Sequence, residues 1–209
     1  MKEKIVVNKT ARIFKEGNEG SNIVVIALHG YGQSAEFFIR KFSSLYNDSL
    51  FIAPEGLHRF YLNGTEGRVG ASWMTKTERE DDISDNILFL DKIIEHIQDT
   101  HPSKKIILLG FSQGGATAAR WFYSKNNQNV KNLIMWATVF PPDIDENLIQ
   151  KDNADNYFVL GNEDQYYINE DAEKVRTLYR SFGFNTIDFQ GGHDIHIETF
   201  KGILSILDR

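Results

Sequence analysis

The chain has 209 residues, 41% hydrophobic and 25% charged, which predicts one α/β domain over residues 1–209 with little room for a second. The formal net charge of −6 gives no electrostatic support for a nucleic-acid or anionic-membrane partner. Cysteine is absent, which excludes a disulfide, a thiolate metal site and a cysteine nucleophile.

The N-terminal region carries no recognisable targeting segment. Residues 1–8 lack the apolar stretch of a signal peptide, and no window approaches the roughly 18 consecutive apolar residues of a membrane span. We therefore expect a cytoplasmic protein without integral membrane association. Residues 3–14 predict one or two short strands.

The next segment predicts a buried strand, a glycine-rich loop and a helix. Residues 22–28 form a continuous apolar run, as expected for a parallel strand covered on both faces. The run ends at the loop His29–Gly32, after which Ser34 is expected to cap a helix reaching residue 46. A second short buried strand is predicted over residues 50–53 and stops at Pro54.

Residues 54–81 are the least regular part of the sequence, with glycines at 56, 64, 67 and 70. Loops of this length in compact domains are usually functional or mobile, and the sequence does not say whether this segment acts as a flap. Asp81 or Asp82 is expected to cap the following helix. Its apolar residues recur at steps of 4, 3, 4 and 3, which is one face of a helix: Ile83, Ile87, Leu90, Ile94 and Ile97.

The second half of the chain alternates strands and helices. Strands are predicted over residues 105–109, 131–136, 157–160 and 184–189, and helices over 113–125, 145–151, 169–181 and from about 197 onward. This alternation predicts a mostly parallel central sheet with helices on both faces and no large cap domain. Ligands bind such sheets beyond the carboxyl ends of the strands, where loops distant in sequence converge.

The stretch Gly110–Gly115, Gly-Phe-Ser-Gln-Gly-Gly, follows an apolar run and precedes a helix-forming segment. A strand that turns sharply into a helix brings the residues two places on either side of the apex together, so both must be small. The apex residue is held in a strained backbone conformation that exposes its side chain. The pattern predicts a nucleophile elbow with Ser112 as the nucleophile.

A serine hydroxyl needs a histidine base and a carboxylate that orients the base. In the α/β-hydrolase arrangement the chain order is serine, acid, histidine, which leaves His193 and His196 among the six histidines. His193 follows a strand in a glycine-bearing loop and is the expected base. His196 falls near the start of the last helix and is expected to face solvent.

Asp164 is the expected acid, because it follows the strand 157–160 across a short turn. Its alternatives are Glu163, Asp143, Asp145 and Asp188, or a purely capping role for Asp164 itself. An oxyanion needs two preorganised donors, for which we expect the backbone N–H groups of Gln113 and Tyr31. Trp73 is a candidate for lining the substrate pocket, as are Phe140, Tyr166 and Tyr167. No His/Asp/Glu cluster has metal-ligand spacing, so no metal site is expected.

Four motifs of the chain, at Leu28–Gly32, Gly110–Gly115, Gly161–Asp164 and Gly191–His193, resemble those of the phospholipase/carboxylesterase family of α/β-hydrolases, which includes acyl-protein thioesterases. The resemblance spans roughly residues 20 to 207. It implies an α/β-hydrolase fold, a Ser112–Asp164–His193 triad, an oxyanion hole at Tyr31 and Gln113, and hydrolysis of small-molecule esters or thioesters without a cofactor.

The chain departs from the family pattern at two places. Gln33 stands where an aspartate is frequent, and residues 164–168 lack the D-x-x-V-P pattern of several members. Neither departure removes a catalytic group. A serine peptidase on the same fold and a non-catalytic α/β-hydrolase-like binding protein are the alternative interpretations.

Overall fold

The computed structural model describes residues 2–102, 104–124, 129–149, 155–167 and 170–208. A seven-stranded sheet runs through it in the order β1-β3-β2-β6-β7-β8-β9. Only the edge pair β1–β3 is antiparallel, and the other five pairs are parallel. The strands are β1 (Ile13–Gly17), β2 (Ile23–Leu28), β3 (Leu50–Pro54), β6 (Lys105–Phe111), β7 (Val130–Trp136), β8 (Tyr157–Gly161) and β9 (Asn185–Phe189).

Helices cover the sheet. Every residue of β2, β3 and β8 is buried, which requires cover on both faces of the sheet. The helices are α1 (Ala35–Ile39, continued by a 3₁₀ helix over Arg40–Leu45), α2 (Arg79–Thr100), α3 (Gln113–Ser124), α4 (Glu170–Ser181) and α5 (Ile197–Leu207). The predicted fold class is confirmed. No helix of the described residues is long and apolar enough to cross a bilayer.

Three predictions about local structure need correction. The predicted strands over residues 3–14 reduce to β1, which begins at Ile13. The segment expected to be irregular contains a hairpin of β4 (His58–Asn63) and β5 (Glu66–Ser72). The predicted helix over 145–151 is a 3₁₀ turn, Glu146–Leu148, and residues 150–151, like 125 and 169 of the neighbouring predicted helices, lie outside the described residues.

The start of α2 also differs from the prediction, since neither Asp81 nor Asp82 is its cap. The helix begins at Arg79, after Glu78 at a left-handed φ of 54°. Asp82 lies in the first turn, where it accepts a hydrogen bond from the Thr75 N–H at 3.0 Å and contacts the His58 ring at 2.9 Å. The carboxylate that was expected to cap the helix therefore ties it to the hairpin.

An ion-pair network joins α3 to the loop after β7. The guanidinium of Arg120, on α3, is buried and donates two hydrogen bonds of 2.7 Å to the carboxylate of Asp143. Arg79 donates a third, of 2.8 Å, from the start of α2. The hydrogen bonds from Arg120, more than any other cause, lower the pKa of Asp143 to about 2.

This network predicts a specific loss of stability in acid. Because the pKa of Asp143 is lowered on folding, its contribution is fully present above its unfolded pKa of about 4 and disappears as the pH falls toward 2. The substitution Asp143→Asn should lower the free energy of unfolding at pH 6 by about 1–2 kcal/mol, since the carboxylate is partly exposed. It should also reduce the fall in stability between pH 6 and pH 3.

Urea unfolding at both pH values measures this effect, and Asp48→Asn, at an exposed position, is the matched control. An Asp143→Asn variant whose stability falls as steeply with acid as that of the wild type would contradict the assignment.

Candidate active site

Ser112 occupies the sharp turn between β6 and α3. Its φ of 52° lies in the left-handed region, which residues with a Cβ rarely adopt. Two backbone hydrogen bonds hold it there, because its N–H donates to the Trp136 carbonyl and its own carbonyl accepts from the Gly115 N–H, each at 2.9 Å. The backbone of the predicted elbow is therefore present.

The glycines around Ser112 are required by close contacts. A Cβ on Gly110 would lie 2.4 Å from the Gly115 Cα and 2.7 Å from the Gly114 carbonyl oxygen, so the two sides of the turn do touch. A Cβ on Gly114 would instead lie 2.4 Å from the Leu28 carbonyl oxygen, at the end of β2. The second glycine thus lets the elbow approach the neighbouring strand.

His193 and Asp164 form a short contact, although 29 residues separate them in sequence. The Nδ1 atom of His193 lies 2.7 Å from Oδ2 of Asp164, whose side chain is completely buried. The other carboxylate oxygen, Oδ1, accepts a hydrogen bond of 3.0 Å from the Tyr166 N–H. An ionised carboxylate only accepts, so a proton on Nδ1 completes this hydrogen bond and leaves Nε2 unprotonated in the neutral ring.

Backbone contacts hold the loops that carry Asp164 and His193 together. The N–H groups of Asn162 and Glu163 donate to the carbonyls of Phe189 and Gly191, at 3.0 and 2.9 Å. A Cβ on Gly161 would lie 2.3 Å from the Gly191 carbonyl oxygen, so only glycine allows this approach. The indole Nε1 of Trp136 donates to the carbonyl of Asp194, next to His193, at 2.9 Å. The sequence did not reveal this last support.

The competing candidates are engaged elsewhere. Glu163 is exposed and its carboxylate accepts from the Gln190 amide, while Asp188 pairs with Arg176 at 2.8 Å. Asp145 caps the 3₁₀ turn, and Asp143 belongs to the Arg120 network. His196 is exposed and caps α5, where its side chain accepts from the Thr199 N–H.

Ser112, Gln113 and His193 line one cavity of about 530 Å³ together with Tyr31. Asp164 lies behind His193, away from this cavity. The rest of the lining is mostly apolar or aromatic and includes Phe111, Ala116, Ala137, Val139, Tyr166 and Tyr167. The cavity therefore presents a hydroxyl, an imidazole and two backbone segments to a ligand with an apolar part.

Strand β5 anchors the loop that follows β2. The Gly32 N–H donates to the Ala71 carbonyl at 2.8 Å, and the Ala71 N–H donates to the Gln33 carbonyl at 3.0 Å. The side-chain oxygen of Gln33 accepts from the Gly30 N–H at 2.9 Å. Gln33 thus braces the loop from within.

His29 supports the same loop from below. Its ring is buried and accepts a hydrogen bond from the Gly56 N–H at Nε2, at 3.0 Å, so Nδ1 is the protonated nitrogen and donates to the Gly30 carbonyl at 2.7 Å. Burial lowers the pKa of His29, which keeps the ring neutral.

The prediction that Trp73 lines the pocket is wrong. Its side chain is fully buried, and its indole Nε1 donates to the His29 carbonyl at 2.8 Å. The ring packs against the imidazole of His29, with 5.1 Å between the ring centroids. Trp73 is therefore part of the support beneath the loop. Of the other aromatic candidates, Tyr166 and Tyr167 line the cavity, whereas Phe140 is buried in the core.

The side chain of Gln113 is fixed by the segment that leaves β5. Its Oε1 accepts from the Trp73 N–H at 3.0 Å, and its Nε2 donates to the Met74 carbonyl at 2.8 Å. The Ser72 hydroxyl contacts both ends of the amide, at 3.2 and 3.1 Å. Gln113 is also the first residue of α3, where N–H groups have no acceptor within the helix. The contacts of its side chain thus fix the position of a backbone N–H that has no acceptor within the helix.

Among the described residues, no group of three or more His, Cys, Asp or Glu side chains could hold a metal ion. The cavity is instead built from a serine, a histidine with a buried carboxylate, and backbone donors. On a mostly parallel sheet with an elbow after a central strand, this arrangement defines an α/β-hydrolase.

Comparison with known proteins identifies the family. Residues 8–158 match the sequence profile described as Phospholipase/Carboxylesterase, and the chain belongs to this family of esterase-type hydrolases. The resemblance seen in the sequence motifs is thereby confirmed. No curated protein sequence matches the chain significantly.

Solved structures with the same fold include three esterase-type proteins. A carboxylesterase from Mesorhizobium loti superposes with a TM-score of 0.69 at 15% identity, covering 95% of this chain and 93% of that one. Acyl-protein thioesterase 2 from Zea mays gives 0.67 at 16%, covering 95% and 98%. The Bacillus cereus carboxylesterase gives 0.66 at 13%, covering 96% and 95%. At these identities the superpositions establish the fold alone.

Proposed function

We propose that the protein is a serine hydrolase that cleaves carboxylic esters or thioesters through an acyl-enzyme intermediate. The observation that carries this proposal is the 2.7 Å contact between His193 Nδ1 and the buried Asp164, with Ser112 and His193 lining the same cavity. Family membership supports ester hydrolysis, and the neighbouring structures include both carboxylesterases and a thioesterase.

The first half of the reaction forms the acyl-enzyme. Asp164 keeps the proton of His193 on Nδ1, so Nε2 takes the hydroxyl proton of Ser112 as the oxygen attacks the acyl carbon. The resulting imidazolium is stabilised by the Asp164 carboxylate. When the tetrahedral intermediate collapses, Nε2 gives its proton to the departing alcohol or thiol, and the acyl group stays on Ser112.

The second half releases the acid. Nε2 of His193 takes a proton from water, the hydroxide attacks the acyl carbon, and the proton returns to Ser112 as the carboxylic acid leaves. The chain's own residues supply every proton acceptor in this cycle, and each group is back in its starting state at the end.

The oxyanion of both intermediates is assigned to the N–H groups of Gln113 and Tyr31. The first lies at the N-terminus of α3, where the helix dipole favours negative charge, and its side chain is anchored to the Ser72–Met74 segment. The second lies in the loop that β5 and Gln33 hold in place. Strand β5 and the segment that leaves it therefore support both proposed donors.

The proposal is tested with a fluorophosphonate and a pair of p-nitrophenyl substrates. The reagent should label the protein at one site per chain, and mass spectrometry should place the label on Ser112. The protein should hydrolyse p-nitrophenyl butyrate. The matched amide, butyryl p-nitroanilide, should be cleaved much more slowly. Faster cleavage of the amide would indicate a peptidase, and a folded protein that neither labels nor hydrolyses the ester would contradict catalysis at this site.

A further inference from the structure

A second cavity, of about 520 Å³, lies beside the catalytic one and shares Gln33 as a wall. It opens between the helical segment after the Gly30–Gln33 loop and the β4–β5 hairpin. Its principal side chains come from both sides: Phe37, Arg40 and Lys41 from the helical segment, and Leu62, Arg68 and Val69 from the hairpin. The two cavities together can hold the two parts of one ester.

The second cavity is positively charged, although the whole chain carries a formal net charge of −6. Arg40, Lys41 and Arg68 line it, and no carboxylate does. Arg40 pairs with Glu36 and Lys41 with Asp194, each at 2.6 Å. Exposed pairs of this kind contribute little energy, so these cations remain able to bind an incoming anion.

Arg68 differs from the other two cations in its ion pairing. Within the described part of the chain it makes no ion pair, and its Cζ atom lies 5.8 Å from the centre of the Phe37 ring. Arg40 contacts the same ring at 4.6 Å. An aromatic ring that orients two guanidinium groups favours a planar or multiply charged oxygen anion, such as a carboxylate or a phosphate.

The apolar side chains of the second cavity favour an organic ligand over a free inorganic ion. Phe37, Leu62 and Val69 are 53%, 41% and 41% exposed. Their exposed surface can pack against the carbon skeleton that links an anionic group to the ester, because burial of apolar area stabilises such contacts. The cavity thus combines apolar contacts with positive charge.

The second cavity lies on the His193 side of the catalytic centre. Phe38, one of its walls, stacks on Phe111 at 5.9 Å, and Phe111 contacts the His193 ring at 4.9 Å. Lys41 pairs with Asp194, the residue after the base. Since His193 gives its proton to the leaving group, the part of the ester on this side is the departing alcohol or thiol.

Resting on the proposed esterase activity, we infer that the second cavity binds an anionic group on the leaving alcohol or thiol. The substrate class is a small ester or thioester whose leaving group carries a carboxylate or a phosphate. The apolar wall of the first cavity receives the acyl chain. Arg68 is a specificity-determining residue in this assignment.

Three acetate esters of similar size test the inference. We expect 4-acetoxybenzoate and 4-acetoxyphenyl phosphate, which carry the anion on the leaving phenol, to be hydrolysed with a kcat/KM about tenfold above that of the neutral 4-acetoxybenzamide. The better of the two anionic esters distinguishes a carboxylate from a phosphate. Equal values for all three esters would overturn the inference while leaving the proposed function intact.

Substitutions assign the preference to the second cavity. Arg68→Gln should reduce the anionic preference about threefold or more, and Arg68→Glu should abolish it. Lys92→Gln, on the exposed face of α2, is the matched control. It should leave kcat/KM unchanged for the anionic esters and for the neutral ester. A preference that survives Arg68→Glu would overturn the inference.

Two further results separate the possible failures. If none of the three esters is hydrolysed and Ser112 is not labelled by a fluorophosphonate, the proposed function fails and the inference fails with it. The 4-carbamoylphenyl monoester of adipic acid carries its carboxylate on the acyl part, and its methyl ester is the neutral comparison. If the protein hydrolyses the free acid with the higher kcat/KM, the assignment of the anion to the leaving group is wrong.

Discussion

Replacing Ser112 by alanine is expected to lower kcat/KM for p-nitrophenyl butyrate by about four to six orders of magnitude. The substitution removes the only proposed nucleophile and leaves the cavity, His193 and the backbone donors in place. Because no acyl-enzyme can form, a fluorophosphonate should no longer label the protein. The measurement is steady-state hydrolysis together with intact-protein mass spectrometry after labelling.

The matched control is Ser124→Ala, at the far end of the same helix, which should keep wild-type activity. An Ser112→Ala variant that retains more than about a tenth of the wild-type rate would contradict the assignment, since a lost nucleophile cannot be replaced by binding alone.

The strained backbone at Ser112 can be tested separately from activity, through the free energy of unfolding of Ser112 variants. Serine and alanine both carry a Cβ, so at a φ of 52° both are strained and Ser112→Ala should fold with nearly the wild-type stability. Ser112→Gly should relieve this strain and raise the free energy of unfolding by about 1 kcal/mol, offset in part by the greater freedom of glycine in the unfolded chain. An inactive protein that is more stable than the wild type would show that the elbow stores strain for function.

The central part of the fold could be predicted because its sequence signals are local. Strands β2 and β6 are unbroken apolar runs, and helix α2 shows a clear helical period, since these elements bury whole faces against the core. The elbow could be predicted as well, because Gly110 is required by contacts with Gly114 and Gly115, only a few residues away. The sequence of each of these segments is therefore enough to predict its structure.

The hairpin was missed because it buries little. Most residues of β4 and the first half of β5 are exposed, so the strands show no apolar run. A signal was nevertheless present, since Gly64 is the first of the two turn residues between Asn63 and Glu66 and adopts a φ of +60°, as glycine does at that position of a type II′ hairpin turn. The glycines at 56, 64, 67 and 70 equally favour an irregular loop, so the turn signal is not distinctive in this sequence.

The residues of the candidate site also fall into two groups, those that could be predicted from the sequence and those that could not. Ser112, Asp164 and His193 could be proposed from chain order and from their positions after strands, because the sheet topology brings those positions together. The contacts that support the loops of the candidate site could not be predicted from the sequence. That Trp73 lies beneath the His29 loop, and that the Gln113 amide is anchored by residues 72–74, depends on how the hairpin leads into α2, which the sequence did not predict.

Replacing Asp164 by asparagine is the other substitution with a large expected effect, a fall in kcat of about four orders of magnitude. The Tyr166 N–H donates to Oδ1, so in the variant the amide oxygen should occupy that position and the NH₂ group should face His193. Nδ1 of His193 would then accept a hydrogen bond, and the ring proton would move to Nε2. An imidazole with its proton on Nε2 cannot take the proton of Ser112.

This tautomer argument distinguishes a catalytic carboxylate from a structural one. Asp164→Asn should leave KM for p-nitrophenyl butyrate nearly unchanged and slow fluorophosphonate labelling in parallel with kcat, because both reactions need the same base. Glu163→Gln is the matched control, since Glu163 is adjacent, exposed and bonded to Gln190. A large loss in Glu163→Gln with near-normal activity in Asp164→Asn would move the acid to Glu163. A large loss in Asp164→Asn alone would assign the 2.7 Å contact to catalysis.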